Sequence, residues 1–409
     1  MRERWGAAER WPGPAPGGAT LVEAGTGRAW YLVDDGTVGA LGAALTWAAR
    51  LPAPAGPQGS GGVPAELHVV VEDAATGLAG ILARRAAQFA PSPQVWVVQG
   101  RGLGPAEPAP PAGLVGQAGL FGPAGLVGPA GLVGPAGLVG QGGLVGQGGL
   151  VGQGGLVGQG GPVGLVGPGL GGGVADLVGC LRAHGVDPVI VALAGEDLGG
   201  GRGLRPRSEV VVSGQILGLE VARIVCHAHG SAVLEVGIGH HDREARAVLR
   251  PGQSADSALD EVVEVVRRWR RAGAGRHPAN SLALEGWLRA VVVGRPELVG
   301  AAELHPLPPL RLLTSSPTPV DLRRPAPAAA SGTSLDGAPA VVVCSTGVDV
   351  DLVPAAADYR LADRRRAVLR LVVPEGDDYP STRQLAGRLQ PPAEVVTVPR
   401  HWPGLGTGL

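Results

Sequence analysis

Residues 340–398, AVVVCSTGVDVDLVPAAADYRLADRRRAVLRLVVPEGDDYPSTRQLAGRLQPPAEVVTV, determine the fold class of this chain. Short runs of valine and leucine bounded by turn residues are typical of strands, whereas longer stretches with helical spacing are typical of helices. The segment predicts three strands and two helices in alternation, at residues 340–345, about 353–363, 367–373, about 381–389 and 394–398. Strands that alternate with helices favour a parallel sheet and hence an α/β fold.

The same plan occurs near the amino terminus. After a predicted strand at 28–34, apolar residues recur at helical spacing at Leu41, Ala44, Leu45 and Ala48. A strand, a helix and a strand then follow, at residues 66–72, about 77–89 and 95–98. No G-x-G-x-x-G motif follows these strands, so the dinucleotide-binding fingerprint is absent.

Residues 113–169 form a hexad repeat, GLVGPA drifting into GLVGQG, with glycine at every third position. Collagen has this period but much more proline, and the recurring glycine, glutamine and proline interrupt any membrane-spanning stretch. We interpret the tract as a disordered, Gly-rich repeat linker. Elastin-like self-association is the alternative.

The middle of the chain predicts a mixed α+β unit. A helix from Val174 ends at Gly185, a strand covers 188–193, and a hairpin pairs 218–225 with 232–239. Helices are predicted at about 257–272 and 281–293. We therefore expect two small parallel-sheet, Rossmann-like modules that flank a mixed α+β middle module. The predicted division is a loose N-terminus (1–27), an α/β module (28–107), the repeat linker (108–173), the mixed module with the hairpin (174–304), a Pro-rich linker (305–338) and a small α/β module (339–409).

Composition excludes several function classes. The 34 basic residues are all arginine, so Schiff-base catalysis, a Walker A loop and Ser-Lys dyads are excluded. The net charge of −1 does not favour acidic membranes, and it gives no support to nucleic acid as a partner. Three widely spaced cysteines and a start without an apolar signal segment predict a cytoplasmic protein.

The hairpin is the first candidate site. If Cys226 pairs with Ser231, Glu220 and Glu235 lie on one sheet face as diagonal neighbours. Together with Asp242 they could hold a divalent cation, Mg²⁺ or Mn²⁺, with the two glutamates catalytic. Further possible ligands follow the second strand, at His240, His241 and Glu244. The alternative is a solvated sheet face with ordinary glutamates.

The loop after the first C-terminal strand is the second candidate. Loops at the carboxyl ends of parallel strands bind ligands in open α/β sheets. Ser345, Thr346 and the amide of Gly347 could therefore hold an anionic ligand such as a nucleotide, although Asp349 and Asp351 would repel it unless a metal intervened. The alternative is that an aspartate of this loop caps the helix.

An arginine-rich stretch, 267–271, is the third candidate. It could grip phosphates, with Trp269 as a stacking surface. Acidic residues at the start of this helix and arginines at its end are also what the helix dipole favours, and this structural interpretation is the preferred one.

Three segments resemble an uncharacterised actinobacterial protein family: GLEVARIV (218–225), LEVGIGHHDREA (234–245) and VVVCSTGVDVDLVPAAAD (341–358). The resemblance covers the chain outside 113–169 and implies a cytoplasmic bacterial protein, but it supplies no activity. The order of elements around the hairpin is also similar to the PD-(D/E)xK nuclease core. The lysine of that motif is missing here, and arginine is a poor substitute because it does not deprotonate.

Two function classes remain open at this stage. One is a metal-dependent phosphodiesterase or nuclease-like enzyme centred on residues 218–242. The other is a non-catalytic α/β module that binds a nucleotide or a protein partner. The enzyme requires Glu220, Glu235 and Asp242 to converge in a concavity, whereas the binding module does not.

Overall fold

A computed structural model describes residues 18–23, 28–34, 37–51, 66–72, 77–109, 173–193, 210–226, 232–275, 277–309, 326–363 and 366–406. The repeat tract at 113–169 lies outside the described residues, as do His227 and His229 of the hairpin turn. Helices and strands are mixed along the described residues and build three sheets, which confirms a mixed α/β content.

The N-terminal sheet has five strands in sequence order. Its elements are β1 (Gly18–Val22), β2 (Arg28–Val33), α1 (Ala40–Ala48), β3 (Glu66–Val71), α2 (Leu78–Ala86), β4 (Gln94–Gln99) and β5 (Gly102–Pro105). Strands β2, β3 and β4 are parallel, whereas β1 and β5 pair antiparallel at the two edges. The sheet is therefore mixed rather than wholly parallel, and β1 lies inside the stretch that the sequence predicts to be loose.

The middle sheet has four antiparallel strands in the order β6-β7-β8-β9. Its elements are α3 (Val174–Ala183), β6 (Asp187–Leu193), β7 (Val210–Ile216), β8 (Leu219–Cys226), β9 (Ala232–Val236), α4 (Gly239–Leu249), α5 (Ala255–Trp269) and α6 (Leu284–Gly294). Strand β7 and helix α4 were not predicted from the sequence.

The C-terminal sheet is also mixed, but both of its antiparallel strands lie on the same side of the parallel ones. Its elements are β10 (Ala301–Pro306), β11 (Ala328–Ser334), β12 (Pro339–Cys344), α7 (Leu352–Asp363), β13 (Val368–Pro374), α8 (Pro380–Gly387) and β14 (Glu394–Val398). Strands β12, β13 and β14 are parallel, and β10 and β11 extend the sheet antiparallel. The strand β11 and the end of β10 occupy parts of the predicted Pro-rich linker 305–338.

The two outer sheets meet at equivalent loops. The amide of Ala90 donates to the carbonyl of Arg388 at 2.8 Å, and the amide of Gln390 donates to the carbonyl of Gln88 at 2.8 Å. Between these bonds, Phe89 pairs antiparallel with Leu389. Each loop joins the second helix of its unit to the third parallel strand, so the contact is reciprocal.

The helices of both outer units share one hydrophobic core. Helices α1 and α2 pack against α7, and α1 also contacts α8. The approach is close, because a Cβ at Gly42 would overlap the carbonyl of Val350. The opposite face of the C-terminal sheet is covered by α6 through Trp287, Leu288 and Val291.

Helix α5 packs on the middle sheet together with α3. The hydroxyl of Ser254 accepts from the amide of Ser257 at 3.2 Å and caps the helix. Leu259, Val262 and Val266 are buried in the core that these elements share. Burying each such side chain contributes about 1.5–3 kcal/mol, so this apolar stripe fixes the polar face of α5 toward the end of α3.

In the described part of the chain, no helix is both long and apolar enough to cross a membrane.

Candidate metal centre

The register of the β8–β9 hairpin differs from the prediction by one residue. Cys226 pairs with Ala232 rather than with Ser231, and Arg223 lies opposite Glu235. A bulge where β8 meets β7 shifts the alternation, so Ala222 and Ile224 face the core and Arg223 does not. The sequence predicts Arg223 and Val225 on the core face, which is wrong, whereas Leu234, Val236 and Ile238 pack against the core as predicted.

The two hairpin glutamates are brought together by an arginine. Glu220 accepts from Nη1 of Arg243 at 2.7 Å and from Arg223 Nη2 at 3.1 Å. The same Arg243, whose side chain is 8% exposed, places its Nε 3.5 Å from Glu235. Glu220 and Glu235 therefore share a guanidinium, which neutralises the charge that a metal ion would need.

Asp242 is engaged at the start of helix α4. Its carboxylate accepts from the amide of Ile238 at 2.8 Å and from Nε of Arg246 at 3.1 Å, in the first turn of α4. Negative charge is favourable at this helix end, so the side chain stabilises the start of α4. His241 is exposed on the same helix near Glu244, and the side chain of His240 lies outside the described residues.

The loop at residues 345–347 uses its donors within the protein. The hydroxyl of Ser345 donates to Asp349 at 3.1 Å, and the amide of Gly347 donates to Asp377 at 2.7 Å. The hydroxyl of Thr346 donates to Glu285 at 2.9 Å, and burial raises the pKa of that glutamate. Carboxylates from three segments thus accept hydrogen bonds from the hydroxyl and amide groups that the sequence predicts to bind an anion.

A buried charge cluster lies behind this loop. Arg85 donates to Asp351 at 2.7 Å and to Asp358 at 2.6 Å, while Arg84 donates to the other oxygen of Asp358 at 2.8 Å. Asp349 adds a third carboxyl group, and burial raises its pKa. Burial also raises the pKa of Asp351 to about 7, against the attraction of Arg85. The cluster contains three carboxyl groups and two guanidinium groups. One carboxyl group therefore lacks a counter-charge and tends to remain protonated.

The arginine-rich stretch is built into the fold. Arg270 is buried and donates to four backbone carbonyl groups, those of Leu217, Ala279, Leu282 and Ala283. Trp269 stacks on His277 with ring centroids 4.6 Å apart, and the guanidinium of Arg268 lies 5.5 Å from the same ring. These contacts favour the structural interpretation of residues 267–271 over a phosphate grip.

Three different ligand types converge between α3 and α5. Within the described part of the chain, Cys180, His184 and Asp256 are the one group of three such residues whose potential ligand atoms all lie within 4.8 Å of one another. Cys180 Sγ lies 3.5 Å from Asp256 Oδ1, and His184 Nε2 lies 3.8 Å from that oxygen. Asp260, one turn further along α5, places Oδ1 3.4 Å from His184 Nε2.

The imidazole of His184 is oriented by the backbone. Its Nδ1 lies 2.9 Å from the carbonyl oxygen of Cys180. Because a carbonyl oxygen can only accept, Nδ1 carries the proton, and Nε2 faces the two aspartates with its lone pair when the ring is neutral. Metal-binding histidines commonly have this arrangement, in which a carbonyl or carboxylate fixes the tautomer.

The end of α3 is held in place beside the ligands. Gly185 adopts a left-handed conformation, φ +67°, and ends the helix. Nη2 of Arg267 donates to the carbonyl groups of His184 and Gly185 at 3.1 and 3.3 Å. The position of His184 relative to α5 is therefore set by contacts independent of any metal.

The thiol of Cys180 is protonated in this arrangement. Burial raises its pKa to about 11, and the hydrogen bond to Asp256 and the nearby charge of Asp260 act in the same direction. A bound cation would offset the negative charges of Asp256 and Asp260 and would favour the thiolate, which is the form that binds metals.

The spacing of Cys180, His184 and Asp256 suits three ligands of a tetrahedral ion, whereas Asp260 lies near His184 but outside this group. Zinc–sulfur bonds of about 2.3 Å and zinc–nitrogen or zinc–oxygen bonds of about 2.0 Å place neighbouring ligand atoms about 3.3–3.5 Å apart. The observed separations of 3.5 Å from Cys180 to Asp256 and 3.8 Å from His184 to Asp256 are close to these values. Asp260, whose side chain is 74% exposed, would have to rotate toward the other ligands to join them. Thiolate, imidazole and carboxylate together can hold Zn²⁺.

Sequence reasoning missed this centre. Cys180 and His184 are four residues apart, as are Asp256 and Asp260, and each pair therefore lies on one helix face. That spacing is a signal, but the pairs are more than 70 residues apart in the sequence. Only the packing of α3 and α5 on the same sheet brings them together.

Comparison with known proteins gives no match: no protein-family model, no curated protein and no solved structure is similar to this chain.

Proposed function

We propose that this protein binds a zinc-class transition-metal ion between α3 and α5. Cys180, His184 and Asp256 are the ligands, and Asp260 completes the set. The observation that carries the proposal is the convergence of ligand atoms of Cys180, His184 and Asp256 within 4.8 Å, from two helices that pack on one sheet. The orientation of Nε2 of His184 toward both aspartates supports it.

The chemistry of the ligands selects the metal. Thiolate and imidazole favour Zn²⁺ over Mg²⁺ and Mn²⁺, which prefer oxygen ligands. The hairpin site for Mg²⁺ or Mn²⁺, with Glu220, Glu235 and Asp242, remains a separate proposal. Its support is weaker, because Arg223 and Arg243 already balance the charge of Glu220.

The proposed role of the ion is structural. Once the exposed side chain of Asp260 turns toward the ion, four protein ligands leave no open coordination position, as in structural zinc sites rather than catalytic ones. The ion would join the end of α3 to the first two turns of α5 and relieve the repulsion between Asp256 and Asp260. We therefore propose a metal-stabilised, non-catalytic module rather than a phosphodiesterase.

We also propose the domain division that the sequence predicts. We infer Rossmann-like units at 28–107 and 339–409 around the mixed unit at 174–304, with linkers at 108–173 and 305–338. The parallel strands β2–β4 and β12–β14, each with its two helices, support this division. Membership of the actinobacterial family and a cytoplasmic location are proposed as well, and a reducing compartment would keep Cys180 available as a ligand.

Titration with Zn²⁺ tests the proposal. Zinc should bind with one ion per chain by calorimetry and should raise the thermal midpoint of the wild type through mass action. Cys180→Ser and His184→Ala should lose most of the affinity and the stabilisation. A Co²⁺ complex of the wild type should show the absorption of a thiolate bound to tetrahedral cobalt.

The matched control is Glu264→Gln, an exposed carboxylate one turn beyond Asp260 on α5. It should respond to zinc as the wild type does. Equal zinc binding by the wild type and Cys180→Ser would show that the ion does not use this centre, and the proposal would fail.

A further inference from the structure

The N-terminal sheet has an outer face, opposite α1 and α2, that is rich in aromatic and apolar side chains. Strand pairing places five of them side by side: Trp30, Leu32, His68, Val70 and Trp96. The residues that alternate with them along β2, β3 and β4 pack in the core shared with α1 and α2. The sheet therefore has apolar side chains on both of its faces.

The polar atoms of this outer face are engaged with one another. Trp30 stacks on His68 with ring centroids 4.2 Å apart, and the indole N–H of Trp96 donates to Nδ1 of His68 at 3.0 Å. The Nε2 atom of His68 lies 3.4 Å from the carboxylate of Glu66 at the rim. Burial lowers the pKa of His68, so the ring is neutral at neutral pH. The centre of the outer face is therefore uncharged and suits an apolar partner.

The outer face is not part of the main packing of the fold. None of its five residues belongs to the three apolar cores that the described residues form. Trp30, Leu32 and Trp96 are half-buried. Sheets usually bury an apolar face against another layer, and a contiguous exposed apolar patch indicates an interaction site.

The corresponding face of the C-terminal sheet has a cover. Helix α6 precedes the edge strand β10 in the chain, and its Trp287 shares a core with Val342 and Val372. In the N-terminal unit, the stretch that precedes the edge strand β1 is residues 1–17, which lie outside the described residues. The two units share this chain order and not the strand direction, because β1 is antiparallel to β2 whereas β10 runs parallel to β12.

Residues 1–17 have a suitable composition and sufficient length. They contain two of the eight tryptophans, Trp5 and Trp11. Residues 12–17, PGPAPG, join Trp11 to β1, and an extended stretch of this composition spans roughly 18 Å at about 3 Å per residue. Five strands are about 19 Å across, at about 4.8 Å per spacing. From the start of β1 at the edge, this length allows both tryptophans to reach the central strands.

We propose that residues 1–17 cover the outer face of the N-terminal sheet, with Trp5 and Trp11 packed against Trp30, Leu32 and Trp96. The segment is then to this sheet what α6 is to the C-terminal sheet. Residues 1–17 therefore belong to the N-terminal unit, and the chain itself occupies its apolar face.

Photo-crosslinking in the full-length protein tests the proposal. The photoreactive residue p-benzoylphenylalanine, in place of Trp5 or Trp11, keeps an aromatic side chain and reacts only with groups that it contacts. Mass spectrometry should find crosslinks within one chain to peptides that contain β2, β3 or β4. The control places the same residue at Leu335, which is 70% exposed on the C-terminal unit, and should give no crosslink to these strands.

A second measurement uses a full-length variant that carries both Trp5→Glu and Trp11→Glu. Because the charged side chains leave the apolar face, the variant should bind at least about threefold more anilinonaphthalene sulfonate than the wild type. The matched control is Val248→Glu, at a position on α4 that is 77% exposed, and it should bind the dye as the wild type does.

Three outcomes overturn the proposal. Crosslinks only between two chains would identify a second copy as the occupant of the face. Crosslinks that avoid β2, β3 and β4 would place the segment elsewhere, and unchanged dye binding by the double variant would show that the two tryptophans do not cover the face. The crosslinking result stands even if the double variant does not fold.

Discussion

Arg85 Nε donates to Asp358 Oδ2 across 2.6 Å and joins α2 of the N-terminal unit to α7 of the C-terminal unit. Both side chains are almost fully buried, with 1% and 2% of their surface exposed. Asp358 also accepts from Arg84, so one carboxylate bridges two guanidinium groups. The contact between the outer units therefore depends on a buried ionic cluster in addition to the shared apolar core.

Asp358→Asn should destabilise the protein strongly. The substitution keeps the shape of the side chain but leaves Arg84 and Arg85 with less compensation in a buried site. Breaking a buried ion pair by removing one partner costs about 3–5 kcal/mol. Urea unfolding followed by circular dichroism measures the effect.

Asp378→Asn provides the comparison. Asp378 pairs with Arg383 at 2.8 Å on the surface, and exposed pairs contribute about 1 kcal/mol or less. If both substitutions had the same small effect, the cluster at Asp358 would not hold the outer units together.

Stability should fall as pH rises toward 8, because of Asp351. Burial raises the pKa of Asp351 to about 7 in the folded protein, from 3.8 in the unfolded chain. A carboxyl group with a raised folded pKa contributes its full stability below the unfolded value and loses it as pH rises through the folded value. At about 1.4 kcal/mol per pKa unit, the loss between pH 4 and pH 8 is about 1–4 kcal/mol.

Asp351→Asn isolates this contribution. Asparagine resembles the protonated carboxyl group and does not titrate, so the variant should lose less stability over the same range. The groups that face Asp351 are Arg85, Asp349 and Asp358, and they remain unchanged. Unfolding curves at pH 5 and pH 8 for both proteins give the difference; parallel curves would contradict the assignment.

Sequence reasoning recovered the elements whose patterns are local. The helices around Leu41 and Trp287 and the strands at 66–71 and 394–398 follow from apolar spacing alone. The edge strand β1 and the inner strand β11 were missed, because each is rich in small or polar residues and lies in a Pro- and Gly-rich context.

The candidate sites depend on contacts between residues that are far apart in the sequence. The bulge of β8 beside β7 changes which residues face the core, and no pattern in the hairpin sequence predicts this bulge. The partner of Glu220 is Arg243, on a helix that was not predicted. The metal centre combines two short helical patterns that only tertiary packing can join.

Glu220→Gln should lower stability rather than raise it. Removing the charge leaves Arg243, which is 8% exposed, with Glu235 at 3.5 Å as its remaining carboxylate contact. Leaving a buried charge without its partner is destabilising. Thermal unfolding of the variant, compared with Glu235→Gln at the more exposed end, measures the effect.

The same pair of variants tests the hairpin as a Mg²⁺ or Mn²⁺ site. With its carboxylates paired to arginine, we expect no heat when Mn²⁺ is titrated into the wild type. Heat that disappears in both Glu220→Gln and Glu235→Gln would instead support the metal site predicted from the sequence.

Zinc binding at the α3–α5 centre should release a proton. Burial and Asp256 raise the pKa of the Cys180 thiol to about 11, so the thiol is protonated at neutral pH before the metal binds. Coordination requires the thiolate, and the apparent zinc affinity should therefore rise about tenfold per pH unit between pH 7.5 and 8.5. Calorimetry in buffers of different ionisation enthalpy counts the protons, and we expect about one per ion for the wild type.

In Cys180→Asp the carboxylate supplies an anionic ligand that is already deprotonated at neutral pH, so the residual zinc binding should release less than half of that proton. Full proton release by Cys180→Asp would mean that the proton comes from another group and that the thiol is not a ligand.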